Sequence, residues 1–293
     1  MTELRVAGTW PGPDWYRDPS GRHAMRYWDG STWTDAVADG REVTSDPQDP
    51  ERLAELWERD GDLRGRWPWG VALVCIGVFV VAELLIVLSA RGMRWAGEGG
   101  LVPIAVGATI LYGALLVAAF VAHRQYGDGR SIVDTFGLRF RWSDIAWGFL
   151  LSVVARIAAV IVLIPLVIID PDLIGSNVPG DDVPLDVGLL LTLTITAGVA
   201  APLVEEIFFR GLLQRALETR LHVWLAVGVA SALFGFAHIN LDLGRGNVGL
   251  VLVTGIGGVV FGIAARQHRR LGVAIAAHAL YNAIPVALVW AVR

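Results

Sequence analysis

From Trp67 onward the chain is written in long apolar blocks separated by short polar ones, whereas its first 66 residues alternate over short stretches rich in tryptophan. The blocks cover about 67–90, 101–123, 144–169, 186–209, 223–240, 248–265 and 271–292. Each lies near the ~20 residues that a helix needs to cross a bilayer. The pattern predicts an all-α polytopic membrane protein of about seven transmembrane helices. Trp67, Trp69, Trp95, Trp142, Trp147, Trp224 and Trp290 fall near the predicted ends, where amphipathic rings settle at the membrane–water boundary.

The polar blocks orient the spans. Arg64, Arg66, Arg124, Arg130, Arg139, Arg141, Arg215, Arg220, Arg266, Arg269 and Arg270 fall at one set of ends. The other set holds Arg91, Arg94 and Arg245, with Asp170, Asp172, Asp181, Asp182 and Asp186 together in one loop. Basic loops stay inside, so the expectation is a multi-pass protein of the cell membrane with a cytoplasmic N-terminus and an external C-terminus.

The front end reads as a small β-rich module over 8–37. Asp18-Pro19-Ser20-Gly21 and Asp29-Gly30 are turn signals between aromatic segments, predicting two or three strands with Trp15, Tyr27, Trp28 and Trp33 as core. Residues 38–66 read as a linker plus an amphipathic helix at the membrane surface. Asp49 would cap that helix, with Pro50 at its first position and Gly61 ending it. The transmembrane domain takes 67–293. The module's pattern, Trp15-Tyr16-x-Asp18-Pro19 followed by Arg26-Tyr27-Trp28-Asp29-Gly30-x-x-Trp33-Thr34, resembles a short Trp-rich domain of unknown function found at the N-termini of actinobacterial membrane proteins. A proline-rich protein partner on an aromatic groove and a plain membrane-proximal spacer are both open readings.

Composition narrows the classes. The chain is 54% hydrophobic and 18% charged with a formal charge of −4, and it shows no basic cluster for nucleic acid. Its one cysteine, Cys75, lies in the first apolar block and reads as packing.

Chemistry enters where charge interrupts the apolar blocks. Glu205, Glu206 and Arg210 stand within two turns of the fourth block. Each charge costs roughly 2.5–3.5 kcal/mol at mid-bilayer. Glu206 and Arg210 are four residues apart on one helical face and read as a structural pair. Glu205 points about 100° away and is left as the working group. His238 ends the fifth block, and His278 and Asn282 share a face of the seventh. Helical rise places Glu205 and His238 level in a hairpin, roughly 25 Å from its turn. All four groups are expected in one pocket open toward the arginine-rich side. A glutamate withdrawn from water is a competent general base, His238 can orient the water, and His278 and Asn282 can donate to an oxyanion. Glu205, His238 and His278 could equally hold zinc in an open three-ligand site. A metal-free reaction is the favoured expectation, because Asn282 suits an oxyanion better than a metal. Gly258 and Gly262 read as a helix contact.

Together Glu205-Glu206-x-x-x-Arg210-Gly211, Phe234-x-x-x-His238 and His278-x-x-x-Asn282 resemble the CAAX-prenyl-protease and bacteriocin-processing family of membrane proteins, over about 186–290. The resemblance implies an intramembrane endopeptidase acting on a membrane peptide or protein. In it Glu205 and His238 activate water, His278 and Asn282 serve the oxyanion, and Glu206 and Arg210 are structural. The family has also been described as metalloprotease, so it leaves the metal open. A peptide-binding scaffold of immunity type and a proton-coupled transporter are the rivals. The transporter expects a repeat of spans, and the motif blocks do not resemble the first three.

Overall fold

The computed structural model describes residues 13–16, 18–60, 67–96, 101–127, 131–175 and 187–291. Arg17, Gly61, Arg64, Arg66, Arg130, the loop 176–186 and the terminal Val292 and Arg293 lie outside the described residues, as do the expectations resting on them. The chain divides into two compact units, Met1–Gly65 and Arg66–Arg293.

In the first unit an antiparallel meander of four strands runs β1 (Asp14–Tyr16), β2 (Met25–Trp28), β3 (Trp33–Asp39) and β4 (Glu42–Ser45). Both turn signals are used: the Gly21 N–H donates to the Asp18 carbonyl at 3.0 Å, and the Asp29 carboxylate accepts from the N–H groups of Ser31 and Thr32. The sheet is one strand larger than expected, because Gly40 at φ +67° turns β3 back into β4. Helix α1 (Pro50–Asp60) starts as expected, the Glu51 N–H donating to Asp49. Its apolar face packs inside this unit: Leu53 and Trp57 join Trp28 and Trp33, with Trp33 and Trp57 centroids 4.8 Å apart. The segment 38–60 therefore supplies part of the module's core. Trp15 and Tyr27, both half-buried, pair with each other at 5.4 Å.

Arg26, fully buried, bridges Asp18 at 2.8 Å and Asp46 at 2.7 Å. Burial pushes the Asp18 carboxyl up. The Ser20 hydroxyl, the Arg26 guanidinium and the His23 N–H outweigh it and hold the carboxyl below its usual value. A depressed carboxyl stabilises the fold above the unfolded value of about 4, and that stability is lost as pH falls through the folded value. Tryptophan fluorescence of the full chain should therefore report loosening of the module below about pH 4, and Asp18→Asn should loosen it at neutral pH. An unchanged Asp18→Asn spectrum would remove Asp18 from the module's support.

The second unit is helical: α2 (Trp69–Trp95), α3 (Leu101–Tyr126), α4 (Ile132–Phe136), α5 (Ser143–Ile169), α6 (Val187–Ile195), α7 (Ala201–Glu206), α8 (Arg215–Leu217), α9 (Val223–Phe236), α10 (Asn247–His268) and α11 (Gly272–Ala291). Helices α6, α7 and α8 form one rod, joined through wider π-helical turns at Thr196–Ala200 and Ile207–Gln214. Five helical rods among the described residues are long and apolar enough to cross a membrane, and α9 and α11 are shorter apolar helices. At 14 residues α9 rises only about 21 Å, short of a ~30 Å core.

The rod carrying Glu205 is the axis of the bundle. Every residue from Val204 to Leu217 is buried, with α2, α3, α9, α10 and α11 packed around it. Two tight approaches fix it. Gly258 and Gly262 of α10 have no side chain to obstruct, so Arg210 donates to the Gly258 carbonyl at 3.0 Å and Gln214 to that of Gly262 at 3.2 Å. The expected glycine contact thus admits two polar side chains. Near the rod's other end, Gly137 at φ +67° closes α4, and the buried Arg215 caps the freed carbonyls of Thr135 and Phe136. Arg215, expected as a loop charge, is internal for that reason. Trp67 is also internal: it is 1% exposed, stacks on Phe136 and donates its indole N–H to the Gly211 carbonyl at 2.9 Å. Trp142, Trp147 and Trp224 are exposed, as boundary residues should be.

Candidate active site

Backbone geometry beside Pro202 prepares the site. The Ala201 N–H donates to the Thr196 carbonyl, five residues back instead of four. The Ala197 carbonyl loses its α-helical partner, and its π-helical partner would be Pro202, which has no N–H. Asn282 of α11 fills the gap: its Nδ2 donates to the Ala197 carbonyl at 2.8 Å. One of the two amide hydrogens is thereby committed, and Asn282 is held against α6. Asn282→Ala should cost about 1 kcal/mol, the low end of the penalty for an unpaired carbonyl, because Ala197 is only partly buried. Adding Pro202→Ala, which restores a backbone N–H, should recover part of that loss in thermal unfolding. Simple additivity of the two destabilisations would contradict this account.

Glu206 and Arg210 pair as expected, at 3.2 Å and essentially without solvent exposure. The pair reaches further than the sequence indicated. The same Glu206 oxygen, Oε1, takes His278 Nδ1 at 2.9 Å. The Arg210 guanidinium also lies 4.4 Å over the Phe234 ring. His278 is sandwiched by Phe261 at 5.0 Å and Phe234 at 5.4 Å. With Nδ1 turned to Glu206, its Nε2 faces Glu205 Oε2 at 3.9 Å. That Glu205 oxygen is buried and accepts no hydrogen bond among the described residues.

Glu205, His238 and Asn282 line one cavity of about 1070 Å³. His278 stands behind Glu205, outside the lining. His238 follows the last turn of α9 and has its Nδ1 against the Phe234 carbonyl at 2.8 Å. The cavity extends from Glu205 toward Ala90, Pro103, Ile174, Asp242 and Val286. These mark the bundle end opposite Arg215, Arg266 and Arg270. The expectation of a pocket open toward the arginine-rich side is therefore corrected. Side chains that were counted there as loop charges fill that end: Arg215 caps α4, Arg270 pairs with Asp144, and Arg266 pairs with Glu218 at 2.7 Å.

Three lining residues stand outside the sequence expectations: Glu83, Tyr112 and Arg156. Glu83 and Arg156 do carry a signal, since each is a lone charge inside an apolar block and costs what Glu205 costs. Tyr112, whose hydroxyl interacts with the Glu205 carboxylate, carries none. The donors proposed for zinc do not converge. Among the described residues no three His, Cys, Asp or Glu side chains come together as a ligand set. The arrangement offers instead a buried carboxylate with one open oxygen, an imidazole and an amide around a large, mostly apolar space.

Residues 187–284 match the family described as type II CAAX prenyl endopeptidase Rce1-like, and residues 13–51 match a protein family of unknown function, DUF2510. No curated protein and no solved structure matches the chain.

Proposed function

From the Rce1-like domain over 187–284, which supports an intramembrane endopeptidase at the level of the family, we propose that this chain hydrolyses a peptide bond of a membrane-associated peptide with Glu205 as general base. The observation that carries the reading is Glu205 Oε2, buried at the cavity wall with no hydrogen bond among the described residues. Water placed there gives a proton to Glu205 and its oxygen attacks the peptide carbonyl carbon. His238, whose Nδ1–H is held by the Phe234 carbonyl, presents an unprotonated Nε2 that accepts from the water and orients it, and the oxyanion that forms takes a hydrogen bond from the second Asn282 amide hydrogen. Glu205 then returns the proton to the leaving nitrogen as the C–N bond breaks. His278 stands behind Glu205 and ties α11 to the Glu206–Arg210 pair through Nδ1, and so acts as a positioning residue instead of the expected oxyanion donor. Proteoliposomes given a mixed pool of apolar membrane peptides should generate new termini that survive chelators. Activity leaving with stoichiometric metal would overturn the metal-free step.

The reading places the chain in the cell membrane with the DUF2510 module in the cytoplasm, on the arginine distribution alone. The cavity then extends toward the outer face. Reporter fusions after residue 45 and after Arg293 should report inside and outside respectively. An inside report at Arg293 would reverse the count of crossings.

A further inference from the structure

Arg156 stands at the middle of α5, thirteen residues from either end of Ser143–Ile169. At that depth a guanidinium costs roughly 2.5–3.5 kcal/mol to insert and marks a function by default. Its own contacts are thin. Nη2 donates to the Tyr281 carbonyl, and the guanidinium lies 4.3 Å over the Tyr281 ring. Among the described residues no carboxylate pairs with it, and its Nε is buried with no acceptor. Arg156 lines the same cavity as Glu205 and Asn282, and its anchor, Tyr281, immediately precedes Asn282 in the chain.

The anchoring matters chemically. Held by Nη2 and the Tyr281 ring, the planar fork still has its Nε–H without an acceptor among the described residues, a charged donor that a carboxylate can take. An apolar cavity strengthens such a pair and excludes weaker neutral acceptors. We propose that Arg156 is an anion subsite that holds a carboxylate of the peptide substrate and so sets which peptide bond lies against Glu205. Two sources supply that group: the peptide's own C-terminus, which every peptide has, or an acidic side chain. Glu83 is the internal competitor. It lines the same cavity, and among the described residues its Oε1 has no hydrogen-bond partner and it makes no ion pair with Arg156. A side-chain swing that brought it there would close the site to substrate.

This inference rests on the peptidase reading, yet binding separates the two. The probes are a fluorescent apolar tripeptide with a free C-terminal carboxylate, its C-terminal amide, and an amide carrying one glutamate side chain. Each is titrated into the full chain in neutral detergent. The free acid should bind the wild type at least about tenfold more tightly than the plain amide, the loss expected when one charged partner goes. The preference should vanish in Arg156→Gln, persist in part in Arg156→Lys and be complete in Glu205→Gln. A glutamate-bearing amide that binds as tightly as the acid assigns the subsite to a side chain. A weak one assigns it to the C-terminus. If acid and both amides bind the wild type alike, or the preference survives Arg156→Gln, the subsite is refuted whether or not those variants fold as well as the wild type. Failure of the peptidase reading looks different: the preference for acid remains while no peptide is cleaved.

Discussion

Glu205→Gln should lower peptide hydrolysis by roughly 10²–10⁴-fold, the usual loss when a positioned general base is removed, with thermal unfolding close to wild type. Glutamine keeps the volume and the polar edge that faces Tyr112 but cannot take a proton from water. Stability should hold because the open oxygen, Oε2, takes part in no hydrogen bond among the described residues, and His278 Nε2 lies 3.9 Å from it. The neighbouring Glu206 has the opposite profile, two residues leaning on one oxygen. Rate and unfolding temperature measured on the same preparations separate the roles of these adjacent residues. A Glu205→Gln protein that cleaves at the wild-type rate would remove Glu205 from the chemistry.

Arg210→Ala should instead cost the fold about 3–5 kcal/mol, because it strands a buried carboxylate. The side chain is fully enclosed and joins three elements through four partners: Glu206 and the Phe209 ring on its own rod, the Gly258 carbonyl on α10, and the Phe234 ring on α9. Truncation also leaves the space beside Gly258 empty. Thermal unfolding should fall sharply and expression with it, and activity should be lost as a consequence. Wild-type stability with catalysis alone abolished would make Arg210 a substrate contact and leave Glu206 and His278 without their anchor.

Much of this was legible in the chain because inserting charge into lipid is costly. Glu205, Glu206 and Arg210 announce themselves against an apolar background, and so do Glu83 and Arg156, by the same rule applied to single charges. Helical periodicity alone placed Glu205 beside His238 and paired Glu206 with Arg210. It could not show that Glu206 would hold His278 as well, since that contact joins residues 72 apart. Nor could it show that Pro202 would shift the hydrogen-bond ladder and give Asn282 the Ala197 carbonyl, because a π-helical turn has no period of its own in sequence. Arginine counting read Arg215 as a loop charge, although three turns of buried rod carry it inward to cap α4. Alternation suggested the module's strands, while the packing of α1 on Trp33 depends on a tertiary contact that Leu53 and Trp57 leave ambiguous with a membrane-surface face.

The central claim is that Glu205 drives proteolysis within the membrane. Its most direct test compares membrane-protein termini across the cell between strains carrying the wild-type chain and Glu205→Ala at matched levels. The account predicts a small set of new termini in the wild type that vanish in the variant, with the uncut precursors accumulating in their place. Identical termini in the two strains, with the variant folded and present in the membrane, would contradict it.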